Sequence, residues 1–430
     1  MLKKITFKRE FIMTALSQIV QVLGKVLVAK ILAVLMTKSE YGYYSLALSV
    51  YTLVSMYPFT AFDQALRRYA SIYMEGNNYK KFYFNIFIIY FVFFIGYLII
   101  IAIVQLFGII QYEWEKLLPV LIIYIITETY KTTIYGVEES LRKRNFVAYS
   151  RIFEYVCNIV FIFLIYRFFT INIYSVLLIF SLVDFLIILA DLIKNRTNID
   201  FSQINIINLK ILFNDIWMFS YPMLAWAIFV WMQNMSNRWF LQYYLNESAV
   251  GEFYVLTSIV ALPTSFITGI IYAFLLPIIY EKENNDKGYA IRFVLKLLPI
   301  VFAVFALITI FVFFFKDLLI IIAADKKYLN NSWMLPYMLA AASVQAVSSL
   351  STIPMLAQMK TRKLMLPSIL PGIISLICGL FLIKQFFITG AFLNYIITNL
   401  SYAILVFAVF IKECKNTKIT GFVFKPMSNK

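Results

Sequence analysis

The chain contains no histidine. That absence excludes imidazole-based acid–base catalysis and leaves zinc without its commonest nitrogen ligand. Only three cysteines are present, Cys157, Cys378 and Cys414, and they form no CxxC. Neither a disulfide framework nor a thiolate metal site is expected from them. Charge is scarce too, at 14% of residues, where soluble domains carry about 25%. Acid is the scarcer sign, 22 Asp and Glu against 38 Lys and Arg, for a net charge of +16. With no polar stretch long enough to fold as a soluble domain, this excess reads as cytoplasmic-loop cations rather than a nucleic-acid footprint. No cofactor, no metal and no nucleic-acid partner is expected.

What fills the chain instead is apolar sequence: 62% of its residues are hydrophobic and its mean hydropathy is +0.82. Crossing the hydrocarbon core as a helix takes about 20 predominantly apolar residues. Runs of that kind fall near 11–35, 42–64, 83–108, 117–137, 148–168, 172–193, 211–240, 249–279, 292–315, 333–357, 364–384 and 387–411. A transmembrane β-barrel would show short alternating segments instead. The fold class is therefore an all-α polytopic membrane protein with about twelve transmembrane helices. Transport, or chemistry on lipid-bound substrates, remains open. The N-terminus, MLKKITFKRE, begins like a signal peptide, but its apolar run is too long and lacks a small-residue cleavage site, so it reads as an uncleaved first helix.

Cations set the expected topology. With the N-terminus in the cytoplasm, the outer side carries only Lys38, Lys116, Arg167, Arg238, Lys316, Lys326, Lys327 and Lys384. Lys25 and Lys30 lie within the first run, and the rest, Lys131 and Arg151 among them, fall to the cytoplasmic side. Both termini are expected in the cytoplasm. Every outer loop is short, which leaves no room for a catalytic domain.

The halves share a faint pattern. YGYYSLALSV at 41–50 aligns with VGEFYVLTSI at 250–259, matching Gly42 to Gly251, Tyr44 to Phe253 and Ser49 to Ser258. Six helices per half is an even number, so the repeats would be parallel, related by an axis along the membrane normal and enclosing a central cavity. This gives lobes at 1–200 and 201–414 and a cytoplasmic tail at 415–430. Pro58 and Pro119 stand alone in the first half, whereas Pro222, Pro263, Pro277, Pro299, Pro336, Pro354, Pro367 and Pro371 crowd the second. Proline kinks helices, but it is also common in membrane helices.

Polar residues inside the runs are the functional signal, because a mid-bilayer charge costs about 2.5–3.5 kcal/mol even on the mildest scale. Thr14, Gln18, Gln21 and Lys25 follow one another at spacings of three and four on one face of the first helix, with Lys30 a turn beyond. This stripe suits a cavity wall that binds an anion; pairing of Lys25 with a carboxylate and snorkelling of Lys30 is the structural alternative. Near the end of the seventh run stand Gln233, Asn234, Ser236, Asn237 and Arg238, and arginine offers a bidentate fork for phosphate. Three carboxylates lie in first-half runs, Glu128, Glu154 and Asp184, and are candidates for ion coupling. Structural pairing with Lys25, Lys131 or Arg151 competes for Glu128 and Glu154. Asp63 with Arg67, and Asp191 with Lys194, read as solvated pairs at helix ends. The hydroxyl-rich run Ser343–Thr352 reads as close helix packing.

Several stretches together resemble one family. Lys25 and Lys30 within the first helix, TKSEYGYY at 37–44 and FDQALRRYA at 62–70 resemble the opening of polysaccharide flippases. Those carry a basic residue in helix 1, a Gly-x-Tyr turn (Gly42 to Tyr44) and an Arg-Tyr after helix 2 (Arg68-Tyr69). Tyr221-Pro222, Asn237-Arg238, Gly251 to Phe253 and Leu276-Pro277 continue the pattern through the second half. The chain is thus similar to Wzx-type flippases for O-antigen, capsule or teichoic-acid repeat units, within the multidrug/oligosaccharidyl-lipid/polysaccharide exporter superfamily. Two departures stand out: Asn237 replaces the family's usual acid, and lysine replaces arginine in helix 1.

The resemblance implies a two-lobed, non-enzymatic carrier in the bacterial cytoplasmic membrane. Its cargo would be undecaprenyl-pyrophosphate bearing an oligosaccharide, flipped outward by alternating access. Polysaccharide polymerase and chain-length machinery would be loose partners. Gln18, Gln21, Lys25, Lys30, Asn234 and Arg238 would meet the cargo, and Glu128, Glu154 and Asp184 would couple an ion. A drug antiporter of the same superfamily would favour an acidic cavity. A lipid II flippase usually carries extra helices. A membrane glycan polymerase would need a large outer loop.

Overall fold

The computed structural model describes residues 2–60, 62, 63, 66, 79–106, 112–141, 143–195, 206–358 and 360–416. Among these residues there are helices and no strand. In chain order they are α1 (Leu2–Leu35), α2 (Lys38–Val54), α3 (Tyr79–Leu106), α4 (Tyr112–Ser140), α5 (Arg144–Phe168), α6 (Ile173–Lys194), α7 (Ile206–Tyr244), α8 (Glu247–Asn285), α9 (Tyr289–Ala323) and α10 (Met334–Leu350). The last helical stretch, Met365–Asn416, breaks at Phe387 into α11 (365–386) and α12 (388–416). Arg68, Tyr69 and Arg67 lie outside the described residues, as do the side chains of Thr14, Pro58, Tyr221, Pro222 and Pro277.

Eight stretches of described residues are long and apolar enough to cross a membrane. The last of them, Arg362–Asn416, has 55 residues and would be about 80 Å long if straight, well beyond a hydrocarbon core of about 30 Å. It doubles back instead. Phe387 has φ 55° and ψ −131°. A Cβ added to Gly390 would lie 2.1 Å from the Leu382 carbonyl oxygen, although eight residues of straight helix rise about 12 Å. Glycine is needed where the returning backbone passes this close. Asn394 of α12 then donates to the Ser375 carbonyl of α11 at 3.0 Å, closing the hairpin. α2 ends for a related reason. Tyr57, at φ −129° and ψ 108°, is extended, the geometry favoured for any residue that precedes a proline in sequence.

The described chain forms two compact units, Met1–Met36 with Ala47–Ile228, and Thr37–Leu46 with Phe229–Lys430. In the first, α1 packs on α5, and α4 on both α5 and α6. Gly24 admits the ring of Tyr155, since a Cβ there would stand 2.2 Å from it. An aromatic core joins the segment that follows α2 to α3, α4 and the start of α7 through Phe59, Phe62, Tyr90, Phe94, Tyr130 and Leu212. In the second unit, α8, α9 and the α11–α12 hairpin pack around α10. The Ser348 and Ser349 hydroxyls bond back to the Gln345 and Ala346 carbonyls of their own helix, which satisfies them while neighbours approach closely.

The cation count needs two corrections. Lys131 and Arg151, assigned by sequence to the cytoplasmic side, lie within α4 and α5 and are 2% and 7% exposed. Each is held by partners that no loop could supply.

Candidate functional site

Lys131 sits at the centre of the first unit. Its Nζ lies 2.7 Å from Glu128 Oε2, 2.8 Å from Glu154 Oε1 and 2.7 Å from Asp184 Oδ1. One ammonium thus gathers the three carboxylates from α4, α5 and α6, using all three of its donors. Tyr135 adds a hydrogen bond to Glu154 Oε2 at 3.0 Å. Asp184 Oδ2 is buried and accepts no hydrogen bond. One oxygen from each carboxylate lies within 4.8 Å of the others, a spacing that could suit a metal ion, but the lysine ammonium already occupies the centre of that cage. Three carboxylates against one ammonium leave the cluster two charges negative, a costly excess in a low-dielectric interior. Lys25 of α1 is near enough to interact electrostatically with both Glu128 and Glu154. The cluster is therefore a place where a further positive charge, carried on a proton or an ion, is stabilised.

The helix-1 stripe points the other way. Gln18 and Lys25 are exposed, while Gln21 and Lys30 are half-buried. Ser17, beside the stripe, accepts a hydrogen bond from Arg151 Nη1 at 2.8 Å, and Arg151 Nη2 bonds Glu139 Oε1 at 3.0 Å. Arg151 is thus committed to α1 and α4, whereas Lys25 is exposed in the middle of an apolar span. A cation there is stable only if it faces water or a ligand rather than lipid tails.

The residues of α7 divide. Asn234 is exposed and donates to its own helix at Val230 O, 2.8 Å. Arg238 is 9% exposed; its Nη1 donates to the Ser45 carbonyl at 3.0 Å and its guanidinium lies 4.8 Å from the Tyr254 ring centroid. Although Asn234 and Arg238 stand four residues apart, they do not share one environment. Asn237 joins a buried neutral network, accepting from Asn394 Nδ2 at 2.6 Å, while Ser236 and Ser375 share a hydrogen bond of 2.8 Å.

Two helix-end pairs differ from the sequence expectation. Asp191 is buried and accepts from Tyr83 and Asn195, while Lys194 pairs with Glu138. Asp63 Oδ1 accepts from Tyr90 and from Thr133 Oγ1, the latter at 2.7 Å. Both carboxylates therefore tie helices together inside the first unit. The sequence signal for the central role of Lys131 was Glu128-x-x-Lys131 within an apolar run, a spacing that places both on one helix face.

Comparison with known proteins bears on this geometry. A family model described as polysaccharide biosynthesis protein matches residues 7–283. The chain belongs to that family. It is a flippase family of the MOP superfamily, so the chain is a multi-pass membrane protein of a transporter family. Its fold is similar to that of the lipid II flippase MurJ in an inward closed conformation, at 14% identity and TM-score 0.64, covering 97% of this chain and 93% of the other. An outward-facing multidrug resistance MATE family transporter of the MOP superfamily aligns at 15% identity and TM-score 0.56, covering 95% of each chain. A MOP superfamily transporter from Pyrococcus furiosus, whose binding pocket is described as reversed in polarity, aligns at 14% identity and TM-score 0.58, again over 95% of each. These likenesses establish the twelve-helix, two-lobe transporter fold. No curated protein matches the chain.

Proposed function

We propose that this polysaccharide-biosynthesis family member is a Wzx-type flippase that moves undecaprenyl-pyrophosphate-linked oligosaccharide repeat units from the cytoplasmic to the outer leaflet. The observation that carries the reading is Lys25, an exposed cation in the middle of the apolar α1. In this reading Lys25, flanked by Gln18 and Gln21 and followed by Lys30, holds the pyrophosphate or acidic sugars of the cargo. The prenyl tail stays in lipid. Asn234 extends the polar lining, and Arg238 contributes through the helix it anchors. Six-helix lobes at 1–200 and 201–414 alternate access, with both termini in the cytoplasm.

The Lys131 cluster supplies coupling. A proton taken up between Asp184 Oδ2 and Glu128 satisfies the orphaned oxygen and removes one excess negative charge. Neutralising Glu128 or Glu154 also weakens the pull of the cluster on Lys25 and frees its ammonium for an anionic head group. Proton entry and cargo binding thereby act on the same lysine.

Purified protein in liposomes containing a polyprenyl-pyrophosphate oligosaccharide tests this directly. Wild-type protein is expected to make the sugar accessible to an external glycosidase, and Lys25→Ala to lower the rate at least tenfold while inserting normally. Full activity of Lys25→Ala would overturn the assignment. Export of a cationic dye with no movement of the lipid-linked sugar would instead favour a small-solute antiporter, a reading to which the acidic excess at Glu128, Glu154 and Asp184 lends support.

A further inference from the structure

The cluster around Lys131 holds more acceptors than one lysine can serve. Its ammonium spends its donors on Glu128, Glu154 and Asp184, and a lysine has no fourth. Asp184 is 1% exposed, and its Oδ2 is left without a hydrogen bond. The Oδ1 of Asn158, also buried, is left in the same state. Asn158 follows Glu154 by four residues on α5, so the two share a helix face. Among the described residues no second cation bonds the three carboxylates. Arg151 is spent on Ser17 and Glu139, and Lys25 acts on Glu128 and Glu154 only through its field.

Oxygen ligands in surplus are what a hard metal cation requires. Calcium takes about six to eight oxygens at about 2.3–2.6 Å, so the oxygens around one ion lie within about 5 Å of one another. One oxygen from each of Glu128, Glu154 and Asp184 lies within 4.8 Å of the others. Sodium, an ion of similar size, accepts the same donors. Charge argues in the same direction, because a divalent ion offsets three buried carboxylates better than one ammonium does. Burial alone does not keep ions out, since Glu128 has 19% of its side chain exposed. What holds the place is the lysine, whose Nζ lies within 2.8 Å of all three carboxylates and cannot diffuse away.

We propose that Lys131 is the tethered occupant of a cation site. Its ammonium stands on α4 in the place of a calcium- or sodium-sized ion and closes the site to metal ions. Lysine suits this task where arginine does not. A compact ammonium directs separate donors to carboxylates on three helices, whereas a planar guanidinium is shaped to grip one of them. The site also keeps its cation whatever the ions in solution, so the packing of α4 against α5 and α6 needs no metal. The inference deepens the coupling reading and rests on it only for its consequence: with the cage filled, the further charge that the cluster stabilises is a proton.

Unfolding temperature in detergent tests the occupancy, with choline chloride exchanged for sodium chloride or calcium chloride at matched ionic strength. Wild-type protein should respond to neither. Lys131→Ala empties the cage and keeps its oxygens. It should unfold at a lower temperature than wild type, and calcium should raise that temperature by about 5 °C or more, sodium by less. Lys131→Ala with Glu154→Gln buries less unpaired charge and keeps Glu128 and Asp184, so it reads the same effect if the single variant does not fold. Adding Asp184→Asn to that pair should abolish the response to calcium. Wild-type protein stabilised by either metal ion, or variants without Lys131 indifferent to both, would overturn the tethered cation. The measurement needs no cargo, so it can fail while the transport reading stands, and the reverse.

Discussion

At the scale of single residues, the chain concentrates its energetic risk in Lys131. An ammonium bonded to three carboxylates inside a helix bundle is held by geometry; removing it leaves buried charges with nothing to offset them. Lys131→Met is therefore expected to destabilise the protein by about 3–5 kcal/mol, read as a large drop in unfolding temperature in detergent. Adding Asp184→Asn and Glu154→Gln to that variant should recover much of the loss, because the uncompensated charge goes with them. A triple variant no more stable than Lys131→Met would show that the lysine acts through packing alone. The three carboxylates were legible in the sequence as charges in the wrong solvent. Lys131 was legible as one of three candidate partners for Glu128 and Glu154, but not as the partner of Asp184, because it stands near the end of its run and was counted with the loop cations. Only the packing of α4 against α5 and α6 brings Glu154 and Asp184 to it. Arg238 shows the same limit: it stands one turn from Asn234 in sequence, yet it is buried against Tyr254 while Asn234 stays exposed.

At the scale of elements, helix positions were legible because the bilayer demands about 20 apolar residues and leaves few alternatives. Even the break near 385 was visible as a gap between two runs. What sequence could not supply was the means of turning. Phe387 is the one non-glycine described residue with positive φ, and it is 58% exposed, so the conformation costs strain without much packing in return. Phe387→Gly should raise stability by about 1 kcal/mol, the strain relieved less the backbone entropy of glycine. A lowered unfolding temperature would mean that the phenylalanine ring holds the hairpin by contacts of its own. The repeat likewise rested on three matched positions in sequence, Gly42, Tyr44 and Ser49 with their counterparts. In the structure the Gly42–Gly251 match becomes a reciprocal backbone contact, Gly42 against the Glu247 carbonyl and Gly251 against the Lys38 carbonyl, because the glycines mark where two helices touch rather than where one turns.

At the scale of the molecule, two features divide the labour. The first unit carries an acidic centre with a resident lysine, and Lys25 is exposed while still interacting electrostatically with Glu128 and Glu154 of that centre. The second unit carries a neutral amide and hydroxyl network with no acid, and the α2–α8 crossing. In the proposed reading cargo capture and ion coupling fall on different residues, so each is expected to be lost separately. The central claim is that lipid-linked sugar crosses the membrane on this chain. The most direct test removes the chain from its host cell and analyses polyprenyl-linked glycans by mass spectrometry, with an external glycosidase to report sidedness. Complete repeat units should accumulate, protected, on the cytoplasmic face. Accumulation on the outer face, or none, would contradict the account.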